Sequence, residues 1–356
     1  MNYKNETLFW KKKEFISFIL SILVLFIHSY FSQDIADNNL ISVINHKFSF
    51  FFSRSITQFA VPMFFMLSGI SFFKDYSNKK YPTKIKSRIF TLVIPYLLWN
   101  TVWMLWEFFC SYSFVAKFSE PGEPYPLTLV SIIKGIIFHR CNMPFWFIFD
   151  IIIFSFAAPA LFLIIRNKYV GIGSIVCLSI VSLFGIYAPE GLFYYPMSIV
   201  FYLTGAVIGY HFFDFACRKS SKTMQITSIV FLSVYILAKT IVPRELHISN
   251  YLIETIVYTF AAFALWNIVD MFIEQIKPRA IYRRSFAIYA MHLNVAIIIL
   301  KVLTFCTPQN QWLEIPKFII MIVSTIIIIN YVCVFLEKYF PRIYGLFMGN
   351  RTKKTR

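Results

Sequence analysis

Residues 11–33 read KKKEFISFILSILVLFIHSYFSQ: a basic cluster, then an apolar run interrupted only by serines and one histidine. From Phe15 onward the run is long enough to cross a hydrocarbon core of about 30 Å as a helix. A membrane β-strand would instead alternate with period two over about ten residues, and this run is apolar on every side. The stretch MIVSTIIIINYVCVF at 321–335 has the same character near the other end. The whole chain agrees, being 58% hydrophobic, 20% aromatic and 14% charged over 356 residues. A soluble domain of that composition would lack polar surface, so the sequence predicts an all-α, polytopic membrane helix bundle.

Ten transmembrane helices are expected, near 15–33, 57–73, 89–109, 144–165, 169–187, 193–212, 224–242, 250–273, 286–305 and 317–337. With the spans so placed, 25 of the 34 lysines and arginines fall on one side. The positive-inside rule makes that side cytoplasmic and puts both termini there. The formal charge of +17 is thereby explained by topology, with no need of nucleic acid as a partner. The KKKEF start resembles a secretory signal, but no small-residue cleavage pattern follows, so a retained first helix is expected. Six cysteines are scattered without metal-ligand spacing. Cys110 and Cys141 both fall in the expected outer loop before the fourth span, where a disulfide between them is one reading and apolar filling the other. No repeat or linker divides residues 1–356, and one membrane domain is the economical organisation.

Ionisable side chains inside a span cost about 2.5–3.5 kcal/mol on insertion scales and usually face a cavity or a partner. Glu14, Ser17, Ser21 and His28 are spaced by three, four and seven residues. They therefore share an arc of about 60° on one helix, a polar stripe expected to line a groove inside the bundle. The alternative for His28 is a structural histidine bonded across a helix interface. The ninth span repeats the choice with Ser285, Tyr289, His292 and Asn294, and Asp150 and Glu107 are further acids within spans. Between spans two and three, Lys84, Lys86 and Arg88 crowd the mouth of a helix. Such charges are commonly topogenic and attract anionic lipid heads, but they also suit an anionic cofactor's phosphates, for which Arg88 offers bidentate hydrogen bonds.

Several stretches, in order, resemble acyltransferase family 3: ILVLFIHSY at 22–30, FAVPMFFMLSGISFF at 59–73, KIKSRIFTLVIPYLLW at 84–99, PFWFIFDIIIFSFAAP at 144–159 and SFAIYAMHLNV at 285–295. The resemblance implies a multi-pass cell-membrane O-acyltransferase that moves an acyl group, usually acetyl, from cytoplasmic acyl-coenzyme A to a hydroxyl of a surface polysaccharide or lipid-linked saccharide. It implies His28 as the catalytic residue and Arg88, with Lys84 and Lys86, as the donor-binding group. His292, Asp150 and Tyr289 would then be substrate-binding. The donor is a substrate, so no permanently bound cofactor and no metal is expected; membrane lipids are the remaining partner. Two positions depart from the family: Ser17 stands where an arginine often precedes the histidine by eleven residues, and Gln58 where a basic residue often precedes the proline, here Pro62. An exporter or flippase of a glycan or lipid-linked intermediate would use the same polar groove without chemistry, and a scaffolding subunit of a synthase is a third reading.

Overall fold

The computed structural model describes residues 3–29, 39–112, 126, 128–181, 197–242 and 251–350, and among them the fold is helical throughout. In chain order the helices are α1 (Tyr3–Ile27), α2 (Leu40–Phe50), α3 (Ala60–Phe73), α4 (Tyr81–Arg88), α5 (Ile94–Tyr112), α6 (Leu129–Ile136), α7 (Trp146–Phe156), α8 (Ala158–Ile165) and α9 (Lys168–Val181). They continue as α10 (Ser198–His211), α11 (Phe213–Ala216), α12 (Lys222–Ile241), α13 (Tyr251–Val269), α14 (Ala280–Arg283), α15 (Ser285–Cys306), α16 (Glu314–Tyr339) and α17 (Pro341–Phe347). Among the described residues, six helical stretches are long and apolar enough to cross a membrane: 40–73, 81–112, 222–241, 252–269, 285–306 and 311–339. A seventh is added if the pair α7 and α8, bent by 71°, counts as one. The bend follows from Pro159, which has no N–H and whose ring crowds the carbonyl of Ser155 one turn back. The expected ends of spans at 30–33, 182–187 and 193–196 lie outside the described residues.

The second span starts earlier than expected. Asn39 caps α2 by accepting from the Ser42 amide, and a π-helical turn at Phe51–Ser55 leads toward α3, so 40–56 is helix rather than outer loop. The cap signal was in the sequence, but Asn45, His46, Lys47 and Arg54 dilute the hydropathy there. Asn39 and Asn45 also bind Gln311, at 2.8 and 2.7 Å, tying α2 to the turn before α16.

The bundle centres on α3 and α10. Small residues let these two backbones nearly touch: a Cβ on Gly205 would overlap the Met66 carbonyl, and one on Gly209 would lie 2.5 Å from the Ile70 carbonyl. Gly205 and Gly209 form a G-x-x-x-G pattern, which without a hydrophobic driving force between helices in lipid supplies close van der Waals contact instead. Helix α1 buries Phe9, Lys12, Ile16, Leu20 and Val24 on one stripe. Lys12 is fully buried and pairs with Asp270 at 2.7 Å. Asp270 in turn accepts from the Ser220 amide and hydroxyl, both at 2.9 Å. Burial pushes the Lys12 ammonium down to about 8, against the opposing pull of Asp270.

The polar stripe of α1 is a seam rather than the wall of a groove at its middle. Ser21 is buried, and its hydroxyl lies 2.9 Å from the carbonyl oxygens of both Ser17 and Ser285. Two helix backbones approach closely across small serines, and a hydroxyl donates into the neighbour's N-terminal turn. No disulfide joins Cys110 and Cys141.

Candidate active site

Helices α1 and α15 run side by side from the Ser21–Ser285 contact, and two turns further each presents a histidine. The rings of His28 and His292 are 5.3 Å apart. His28, one residue past the end of α1, is exposed, whereas His292 is fully buried. The Nδ1 of His292 lies 2.7 Å from the Tyr289 carbonyl oxygen. A carbonyl only accepts, so Nδ1 carries the proton and Nε2 of the neutral ring is an acceptor. That Nε2 is buried and has no hydrogen-bond partner among the described residues.

Tyr289 is locked by packing. Its hydroxyl donates to the Pro144 carbonyl, and its ring stacks on Phe145 at 5.7 Å and meets Phe147 edge-on at 5.7 Å. The polar end of Tyr289 thus holds the turn before α7, while its carbonyl fixes the tautomer of His292. Trp103 reinforces the same segment by donating from Nε1 to the Ala290 carbonyl at 3.0 Å. Asp150 is fully buried on α7, within electrostatic reach of Tyr289. The structure therefore brings His28, His292 and Tyr289 together, with Asp150 near Tyr289. Glu107 is exposed on α5.

The basic trio is divided. Lys84 donates to the carbonyls of Phe72 at 2.8 Å and Lys74 at 2.9 Å, satisfying acceptors that the end of α3 leaves open. Arg88, one turn on, is half-buried, with Nη2 3.5 Å from the Ser68 carbonyl and its guanidinium 5.1 Å above the Phe72 ring. Lys86 is exposed, and a two-residue step places it about 200° around the helix from each of them. Lys84 and Arg88 share a face, and Lys86 does not.

One residue near the histidines escaped the sequence reading. Arg54 sits in the π-helical turn, and its charge reaches His28. It precedes Gln58 by four residues, where a basic side chain was expected, and an ionisable group within FFSRSITQF was the available signal.

An acyltransferase domain model, that of acyltransferase family 3, matches residues 15–333, nearly the whole chain. The chain belongs to acyltransferase family 3. No curated protein and no solved structure matches it. The matched range of this family 3 acyltransferase contains His28, Arg88, Asp150, Tyr289 and His292, while the Lys11–Lys13 cluster lies just before it.

Proposed function

We propose that this family 3 acyltransferase is a membrane O-acyltransferase, with His28 as the general base. Acyl-coenzyme A, most simply acetyl-coenzyme A, is the donor, and a hydroxyl of a cell-surface polysaccharide or lipid-linked saccharide is the acceptor. The observation that carries the reading is the histidine pair: an exposed imidazole backed by a buried one whose Nε2 is an acceptor. If His28 directs an N–H toward that Nε2, its other nitrogen is left as a base facing outward. An acceptor hydroxyl would give its proton to that nitrogen while its oxygen attacks the thioester carbonyl carbon. The C–S bond then breaks, the coenzyme leaves as a thiolate, and the imidazolium returns the proton to sulfur. Arg88 is the cation proposed to meet the donor's phosphates, with Lys86 on the exposed flank, while Lys84 is held by the carbonyls at the end of α3. Tyr289, buried beside His292, and Asp150 are the residues proposed, with His292, to orient the acceptor.

The test is a mass spectrum of the surface glycan from cells with and without the protein. One acyl group fewer per repeat in its absence supports the reading. Loss of the whole polymer would mean transport or assembly, and no change in any glycan would remove the acceptor class.

A further inference from the structure

A cavity of about 790 Å³ lies away from the histidines, between α3, α10, α12 and α13. Its floor is apolar and buried, from Met63, Met66 and Leu67 of α3 to Ala262 and Ala264 of α13. Its side is open: Phe212, Phe215, Met224 and Phe260 line it and are exposed. Along α12 the lining runs from Ser221 to Phe231, about 15 Å of depth at 1.5 Å per residue. Its charged residues are all at one end, where Arg218, Lys219, Ser220 and Ser221 form the rim, and Thr227, Ser228 and Asn267 are the other polar residues of the lining.

That rim is built rather than incidental. Ser220 is clamped by Asp270 through both its amide and its hydroxyl, and Asp270 is itself paired with buried Lys12. Gln225 adds a bond from Nε2 to the Ser220 carbonyl at 3.0 Å. Lys219 pairs with Glu274 at 3.2 Å, with both side chains exposed, and among the described residues no carboxylate pairs with Arg218.

We infer that this groove binds one anionic glycerophospholipid from the leaflet beside the basic loops. An acyl chain lies along the apolar floor, and the headgroup phosphate sits at Arg218 and Lys219. Charge complementarity selects the headgroup, since the two cations of the lining stand together at one end of a largely apolar slot. The exposed aromatic flank selects a ligand that arrives sideways, because α12 and α13 are membrane-spanning by length and composition and the slot opens along them.

Native mass spectrometry of the purified full chain, titrated with phosphatidylglycerol or phosphatidylcholine, tests the inference. We expect one phosphatidylglycerol retained per chain, preferred by roughly 30-fold, as two basic groups near an anionic lipid give. Arg218→Gln with Lys219→Gln brings the two lipids to near parity. Thr227→Trp, at an exposed position on the groove edge, loses the retained lipid while its thermal unfolding stays that of wild type. Equal retention of both lipids by wild type overturns the inference, as does unchanged retention in both variants. Displacement of the lipid by acetyl-coenzyme A at donor concentrations overturns it too, by giving the groove to the donor.

Discussion

His292 keeps one ring nitrogen on its own helix and leaves the other unpartnered among the described residues, and this separates the roles of the two histidines. Asparagine can replace the hydrogen bonds of an imidazole but takes no proton at neutral pH. His28→Asn is therefore expected to insert and fold normally while acyl transfer falls by at least about 100-fold, the lower range for loss of a general base. His292→Asn should lose less activity and more thermal stability, because it disturbs a buried side chain that positions rather than reacts. Full acylation by His28→Asn, in membranes matched for protein, would leave His28 as a packing residue. For Arg88, the planar fork predicts that Arg88→Gln weakens acetyl-coenzyme A binding and Arg88→Lys recovers only part; unchanged affinity in Arg88→Gln would return this loop to a topogenic role. The site was only partly legible in the sequence. His28 and His292 stood out because imidazoles are rare in lipid, and helical spacing put Ser21 on the same face as His28. That Ser21 binds Ser285, or that Lys84 is spent on carbonyls at the end of α3, depends on which helix lies opposite, and one chain's periodicity does not carry that.

At the scale of elements, two contacts invite measurement. The α3–α10 crossing meets a methyl group on Gly205 with backbone rather than with a mobile side chain. Gly205→Val should therefore cost about 3 kcal/mol, the upper range for overpacking, read as a lower unfolding midpoint in detergent; an unchanged midpoint would mean that the helices can separate freely. The Lys12–Asp270 pair is the second. Removing one member, as in Lys12→Met, strands a buried charge and should cost about 3–5 kcal/mol, whereas Lys12→Met with Asp270→Asn should recover most of it. The sign of the pH effect follows from burial. With the folded lysine near 8 and the unfolded one at 10.5, the unfolded chain binds the extra proton between those values. Stability from this group is thus present above 10.5 and lost as the pH falls through about 8, a span worth roughly 3 kcal/mol. Wild type should gain stability relative to the double variant as the pH rises from 8 to 10, and parallel profiles would contradict the assignment. The helices themselves were readable as apolar runs; α2 was not, since its polar and basic residues hid a helix that an asparagine cap begins.

For the whole molecule, the division of basic residues makes sidedness the property to measure. Reporter fusions at residues near 80, 220 and 280 should read as cytoplasmic, and one near 310 as external. A consistently external signal from the 74–88 loop would refute this arrangement of spans. Composition was enough for the membrane class, and the unbroken apolar runs, in place of period-two alternation, for the all-helical one. The number of crossings is less directly written. Apolar helices such as α9 and α10 are only 14 residues long as described, and α7 and α8 break at a proline. Hydropathy counts such segments as spans, but length and bend decide how they sit.

The Ser21–Ser285 contact joins residues 264 positions apart. At synthesis rates of about 5–20 residues per second, α1 therefore waits roughly 13–53 s before its partner helix of the site is made. During that interval His28 and the serines below it have no α15 to bond with, and whatever shields them must come from elsewhere in the nascent bundle or from the insertion machinery. The site draws on α1 and on α15, so any chain that stops short of α15 carries an unfinished polar face into the bilayer.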